Sequence, residues 1–273
     1  MMLKLLTPQN GTLRSIMILG ILQARISSRR LPGKVLKPLQ GKPMLVRQIE
    51  RIQRAKRIDK LVMATSSEST DDSLAHAIGA CGTPVYRGSL DDVLDRFYQA
   101  AVFYQPEHVV RLTGDCPLAD PEIIDHVIKQ HLMEKADYSS NVLPPTYPDG
   151  LDVEVMRFTA LEQAWREAEL PSDREHVTPF IRNHPERFMQ LNVPFEKNLS
   201  ALRWTVDEPE DFQLIEQIYQ ALYPDNPFFL TADILALLQE RPELMNINTQ
   251  IGRNEGEKKS YEADKRFLEK KMA

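Results

Sequence analysis

Gln23-Ala-Arg-Ile-Ser-Ser-Arg-Arg-Leu-Pro-Gly-Lys34 decides how this chain is read. It follows Ile16 to Leu22, a short and almost wholly apolar run that reads as a buried strand, and it precedes a helix whose first turn is expected at Pro43-Met44-Leu45. The quoted residues carry four cations, two hydroxyls and a Pro-Gly turn at what is expected to be the open end of a sheet. Loops of this kind lie on the surface with both ends fixed by regular structure, which suits them to ligand binding. Point charges, guanidinium forks and hydroxyl donors together favour a phosphorylated ligand and repel a cationic one. Arg25 and Lys34 are the leading phosphate ligands; the competing reading is a basic loop kept for solubility.

Outward from that loop the pattern alternates. Leu45, Ile49 and Ile52 give a helical stripe through Arg54, Leu61 to Thr65 a second strand, and Leu74, Ala75 and Ile78 a second helix. Val85-Tyr86 reads as a short strand, Val93 to Ala101 as a helix, His108 to Leu112 as a strand and Pro121 to Met133 as a helix. Strand and helix in alternation predict a layered α/β sheet. Beyond Tyr138 the order weakens: residues 144–150 are too rich in Pro and Gly for regular structure, and Leu151 to Val155 alternates as a strand with Asp152 and Glu154 on one side. Phe158 to Ala168 is expected as a helix, Pro171 to Arg174 as a turn, and Glu175-His176 as the opening of a short helix. Phe188 to Val193 and Leu202 to Val206 read as strands, and Asp207 to Asp211 place acids at the start of a helix that runs to Leu222. The expected layout is an extension over 1–15, one catalytic domain over 16–250, and a charged tail over 251–273 with a late amphipathic turn around Tyr261, Phe267 and Leu268.

Composition narrows the function. With 273 residues the chain can bury a large core, and a formal charge of −5 argues against a nucleic-acid partner, which usually meets a basic face. Two cysteines, Cys81 and Cys116, suggest neither a disulfide framework nor a four-ligand zinc site. No apolar stretch reaches membrane-spanning length, so a cytoplasmic protein without membrane insertion is expected; a homodimer remains open.

The chemistry is expected at strand ends. Asp115 follows an apolar strand in a Gly-Asp-Cys-Pro turn, where Gly114 permits a tight path and Pro117 stiffens the exit. Asp207 follows Arg203-Trp-Thr-Val206 in the same way. Each acid could instead cap the helix after it, but two carboxylates at neighbouring strand ends could share one Mg²⁺ with substrate phosphates. Gly33-Lys34 and Gly41-Lys42 lack the spacing of a phosphate loop, and the dinucleotide and serine-esterase glycine patterns are absent. Asp152, Glu154, Glu175 and His176, with Asn141 and Gly150 at the edge, form a second polar group suited to a hydroxyl-rich sugar; for Glu175 and His176 a plain helix start is the alternative. Arg111 would add positive potential near the phosphates, or else face solvent.

In series, these residues resemble a known family. Gln23-Ala-Arg25, Ser28 to Lys34 and Leu39-x-Gly-Lys-Pro43 resemble the opening of the sugar-activating cytidylyltransferases, which include the acylneuraminate and 3-deoxy-manno-octulosonate enzymes. The likeness is greatest to the spore coat polysaccharide biosynthesis type, SpsF. It continues through Val93 to Tyr98, Arg111 to Leu118, Tyr147 to Glu154, Arg174 to Thr178 and Arg203 to Asp207. The resemblance implies a glycosyltransferase-A-like nucleotidyltransferase fold, with a mixed, mostly parallel sheet flanked by helices. It implies attack of a sugar hydroxyl or phosphate oxygen on the α-phosphate of CTP, with pyrophosphate leaving, and a sugar, sugar phosphate or sugar acid as acceptor. Gln23, Ala24, Arg25, Ser28, Lys34, Arg111 and Gly114 form the expected nucleotide-binding set, Arg25, Lys34, Asp115 and Asp207 the catalytic set, and Asp115 and Asp207 the Mg²⁺ ligands. The run after Gly150, Leu-Asp-Val-Glu, departs from the acceptor motifs of the acylneuraminate enzymes and leaves the acceptor open. Two other readings are a glycosyltransferase of the same fold, for which an Asp-x-Asp pair would be expected where Thr113 precedes Asp115, and a non-catalytic nucleotide-sugar binding protein.

Overall fold

Alternation of large aliphatics on both faces makes Ile18–Gln23 a strand buried from above and below, and this strand, β1, is at the middle of the molecule. The computed structural model describes residues 16–28, 30–253 and 255–272; the expected extension at 1–15 and Arg29 lie outside the described residues. After β1 come a two-residue hairpin, β2 (Pro38–Leu39) and β3 (Lys42–Pro43), and then α1 (Met44–Ile52), β4 (Lys60–Ser66), α2 (Asp72–Ala80), β5 (Val85–Gly88), α3 (Val93–Tyr104), β6 (His108–Thr113) and α4 (Pro121–Glu134). The second half holds β7 (Tyr138–Ser140), β8 (Glu154–Arg157), α5 (Phe158–Glu167), α6 (Pro171–His176), α7 (Pro179–Arg182), β9 (Gln190–Asn192), α8 (Pro209–Leu222), α9 (Thr231–Glu240) and α10 (Glu255–Met272).

Seven strands form one sheet in the order β5-β4-β1-β6-β8-β7-β9. All run parallel except β8, which pairs antiparallel with both β6 and β7. The mixed, mostly parallel sheet flanked by helices is therefore as expected. One core lies between the sheet and α1, α2 and α4, around Leu22, Ile49, Leu74 and Val127. A second lies on the other face with α3 and α5, around Leu19, Ile21, Phe97 and Leu161. A third, built on Trp204, Ile215, Tyr219 and Phe229, holds α8 and α9 beside the strand ends.

Several local expectations are corrected. Residues 202–206 are not a strand of the sheet: Trp204 N–H donates to the Asp149 carbonyl (2.6 Å) and Val206 N–H to the Asp115 carbonyl (2.8 Å), so the segment's donors are divided between two loops and no ladder forms. Residues 151–153 are likewise outside the sheet, and β8 begins only at Glu154. Pro171 to Arg174 is the body of helix α6, with Pro at its first turn. Glu175 and His176 end that helix instead of opening one. The tail read as charged and weakly apolar is an 18-residue helix, α10. Its docking is tertiary, since Ser172 N–H donates to Asp264 Oδ1 (2.9 Å), and packing of this kind stabilises helices that propensity alone would not.

Candidate active site

The basic loop leaves β1 and is fastened from beneath. Asp71, fully buried, accepts from Ile26 N–H (2.8 Å), from Thr65 Oγ1 (3.0 Å) and from Ser66 N–H (3.2 Å), and these donors hold its carboxyl below the ordinary range although burial opposes them. Gly114 lies where the chain leaving β6 crosses the chain leaving β1. A Cβ there would stand 2.8 Å from Ala24 Cβ and 3.0 Å from the Gln23 carbonyl oxygen, so only glycine lets the two strand ends come together.

The two expected acids do converge. Lys34 Nζ donates to Asp207 Oδ1 (2.9 Å) and to the Val206 carbonyl (2.6 Å), and lies 3.6 Å from Asp115 Oδ2. Lys34 is 8% exposed; burial opposes its charge, but Asp115 and Asp207 outweigh burial and raise the ammonium pKa. Neither acid is spent on a helix cap. Asp120 caps α4, accepting from Glu122 N–H (2.9 Å), and Glu208 stands at the N-cap of α8. Within α8 the buried Asp211 Oδ2 accepts from both Asp207 N–H (2.9 Å) and Glu208 N–H (3.0 Å), which leaves the Asp207 side chain turned to the cleft. Arg30 (3.0 Å) and Arg203 (3.1 Å) also reach Asp207, and together with Lys34 they hold its carboxyl below the ordinary range against the effect of burial.

Arg203 organises this side of the cleft. Its guanidinium donates to Asp211 through Nε and Nη2 (2.9 Å each) and to Asp149 (3.1 Å), and its pKa is raised because these carboxylates outweigh burial. Gly150 makes the turn beside it, at φ +107° and with space for a Cβ only 2.5 Å from Thr205 N. Asp115, Asp207, Arg30, Arg203 and Asp149 line a cavity of about 610 Å³, which continues past Arg111, Asp152, Glu154, His176, Thr178 and Arg182 to Gly252 and Arg253.

At that far end Glu154 accepts from Tyr138 Oη (2.5 Å) and Thr178 Oγ1 (2.7 Å) and forms an ion pair with Arg111. Burial would raise the Glu154 carboxyl, but Arg111 and its neighbours hold it below the ordinary range. Arg111 also donates to Gln23 Oε1 (3.2 Å). Asp152 pairs with Arg253 (2.9 Å), yet burial pushes its carboxyl up to about 7.

Not every expected residue reaches the cavity wall: of the expected nucleotide-binding set Arg111 lines it, whereas Gln23, Ala24, Lys34 and Gly114 do not. Asn141 is fully buried and uses its amide to accept from Val153 N–H and donate to the Leu151 carbonyl (2.8 Å each), which fixes the turn before β8. Gly150 shapes the backbone, and Glu175 is exposed and accepts from Ser260 Oγ (2.9 Å). Arg25 is exposed outside the cavity, close enough to Arg96 for the like charge, after burial, to help bring the Arg96 pKa down to about 10. Ser28 accepts from Leu31 N–H (3.4 Å) inside the loop. The sequence reading missed Arg182 and Arg253 as wall residues and Asp71 and Asp211 as buried anchors. Arg203 was visible only as part of a motif. Helix-start acids such as Asp211 look alike in sequence, and nothing local to Arg253 predicts its reach.

Among the described residues no three His, Cys, Asp or Glu gather as a metal-binding group. Two carboxylates converging on one cation nonetheless fit Mg²⁺, which takes one or two carboxylates and completes its shell with water and substrate phosphates.

A family model described as cytidylyltransferase matches residues 19–258. The chain is similar to the spore coat polysaccharide biosynthesis protein SpsF of Bacillus subtilis, 37% identical over 239 residues, which cover 83% of this chain and 95% of that one. It is also similar to a 3-deoxy-manno-octulosonate cytidylyltransferase of Anaeromyxobacter dehalogenans, 40% identical over 111 residues, 40% of this chain and 44% of that one. Among solved structures, a cytidylyltransferase from Leptospira borgpetersenii superimposes with a TM-score of 0.81 at 29% identity, covering 84% of this chain and 97% of that one.

Proposed function

Because the chain belongs to the cytidylyltransferase family and is a nucleotidyltransferase, we propose that it transfers CMP from CTP to a sugar or sugar acid, with Mg²⁺ held by Asp115 and Asp207. The observation that carries this reading is the convergence of those two carboxylates, which line the cleft beside Arg30 and Arg203, on the buried Lys34. Family membership supports CMP transfer to a sugar.

An acceptor oxygen forms a bond to the α-phosphorus as the bond to the bridging oxygen breaks, and pyrophosphate carries away the electron pair. Little covalent chemistry falls to the protein; its tasks are positioning and charge balance. Lys34 and Arg30 lie on the Asp207 carboxylate and are placed to turn from it to a phosphate oxygen, while Arg203, held by Asp211 and Asp149, keeps its place in the wall. Mg²⁺ bound at Asp115 and Asp207 would add Lewis-acid neutralisation of the phosphate charge. The far end of the cavity, with Asp152, Glu154 and His176, takes the acceptor.

The test is a panel of CTP, UTP, ATP and GTP crossed with sugars, sugar phosphates and sugar acids, read by pyrophosphate release with Mg²⁺ present. CTP with one acceptor class should release pyrophosphate at a rate at least tenfold above the others. Release of nucleoside diphosphate from a nucleotide sugar, or equal use of a purine triphosphate, overturns the assignment.

A further inference from the structure

Arg253 comes to the cavity from the far end of the chain and is held there from both directions. Upstream, Asn248 Nδ2 donates to Asp211 Oδ1 (2.8 Å) and to the Arg203 carbonyl (3.0 Å), and the Gly252 carbonyl accepts from Arg203 Nη1 (3.3 Å). Downstream, α10 is fixed by Asp264 on Ser172 N–H and by Ser260, whose Oγ lies 2.8 Å from His176 Nε2 and donates to Glu175. The segment is thus docked at two points of the cavity wall, through Arg253 and through His176.

The partners of Arg253 differ from those of the other wall arginines described above. Arg111 is committed to Glu154 and Gln23, and Arg203 to three carboxylates. Among the described residues Arg253 has one close partner: Nη2 is 2.9 Å from Asp152 Oδ1, whereas Asp149 is 3.7 Å away and the Tyr147 carbonyl 3.5 Å. A guanidinium carries five N–H donors in a planar fork matched to carboxylate and phosphate, so a single side-on acid uses little of it.

We propose that Arg253 is a specificity-determining residue of the acceptor half, and that its guanidinium exchanges Asp152 for the carboxylate or phosphate of an anionic acceptor. The proposal rests on the nucleotidyltransferase reading above. The exchange balances: the Arg253–Asp152 pair opens, an Arg253–anion pair forms, and Asp152, which Asp149, Glu154 and Asp115 face as like charges, takes one proton from solvent in place of the lost cation. Acceptor binding is therefore coupled to proton uptake near neutral pH.

Calorimetry on the full-length, CTP-loaded protein tests this with two matched pairs of probes. One pair is 3-deoxy-manno-octulosonate and its methyl ester, the other glucose 6-phosphate and glucose. One anionic probe should bind at least tenfold tighter than its neutral partner, and which pair responds distinguishes a sugar acid from a sugar phosphate. Repeated at pH 7.5 in buffers of different ionisation enthalpy, that binding should show uptake of up to about one proton, abolished in Asp152→Asn. Arg253→Gln should lose at least tenfold for the responding probe and raise acceptor KM more than it lowers kcat, with CTP affinity unchanged within twofold. Arg253→Lys, which keeps the charge and so the fold, should recover only part. If Arg253 served only to neutralise Asp152, the double variant Arg253→Gln/Asp152→Asn would regain acceptor affinity; that recovery, or no binding of either anionic probe, overturns the proposal. Failure of CTP itself to bind in the same cell would count against the nucleotidyltransferase reading instead.

Discussion

Asp115 and Asp207 meet at Lys34, yet they are not equivalent. Asp207 carries Lys34, Arg30 and Arg203 on its carboxylate, whereas among the described residues Asp115 has one cation, Lys34 at 3.6 Å, and the Cys116 thiol at 3.4 Å, and contributes to the scaffold through its backbone carbonyl. Substituting Asn at position 115 leaves that carbonyl in place. Asp115→Asn should therefore lower kcat by about 100-fold or more, the scale of removing one charge-stabilising group, with a melting temperature within roughly 2–4 °C of the parent, equivalent to ~1 kcal/mol in a chain of this size. Asp207→Asn should show a similar loss of turnover and a larger fall in melting temperature, because three cations each lose one of their counter-charges. Kinetics and thermal melts of both variants check this, and a Asp115→Asn protein with parental kcat would show the acid to be structural. Both acids were legible in sequence because an acid in a Gly-x-Cys-Pro turn, or ahead of a Pro-Glu helix start, suits few other tasks. Asn141 and Gly150 misled for a related reason: loop residues beside a site serve its shape as often as its ligand, and only the contacts of Asn141 with 151–153 and of Gly150 with Thr205 separate the two.

At the scale of elements, α4 is joined to the sheet by a buried polar chain that the substrate cavity does not touch. His108 Nδ1 in β6 lies 2.9 Å from His131 Nε2 in α4, and His131 Nδ1 lies 2.8 Å from Ser139 Oγ in β7. Burial, with His108 and Arg157 nearby, brings the His131 pKa down to about 3, and burial and Arg157 lower that of His108. A depressed histidine pKa means that the unfolded chain binds the proton first. The stability from the neutral pair is thus complete above about pH 6.5 and is lost as pH falls from there toward 3, by up to about 1.4 kcal/mol per pH unit for one such group. Urea unfolding between pH 7.5 and 5 should show this slope in the parent and less of it in His131→Gln; equal slopes would remove the histidine as the cause. The first-half elements were legible because each strand and helix has its own apolar period. The second half was not, because α6 and α10 are helices by docking, and 202–206 divides its hydrogen bonds between Asp149 and Asp115.

Across the whole molecule, the cleft draws its wall from distant parts of the chain, from Arg30 and Asp115 through Glu154 and Arg203 to Arg253. A ligand that engages all of them should tighten the fold as a unit. CTP at 100 times its Kd adds about 2.7 kcal/mol to folding stability by mass action, so with Mg²⁺ it should raise the melting temperature by roughly 5–10 °C at ~2–4 °C per kcal/mol. Scanning calorimetry with each triphosphate at equal concentration checks the base preference, and an equal shift with GTP would count against cytidine.

The reversed strand of the seven-stranded sheet, β8, stands where the chain divides into two segments. It returns the chain across the sheet beyond β6, so the basic loop, Arg111 and Asp115 all come before residue 120, while Asp152, Glu154, His176 and Arg253 all follow residue 138. A chimera joined within α4 would therefore exchange Asp152, Glu154, His176 and Arg253 and leave the basic loop unaltered. Contacts cross that division: Asp207 of the later segment meets Lys34 and Arg30 of the earlier one, and Glu154 meets Arg111. On the function proposed above, such a chimera should change the acceptor it uses, provided that the incoming segment returns a carboxylate to Lys34 and one to Arg111.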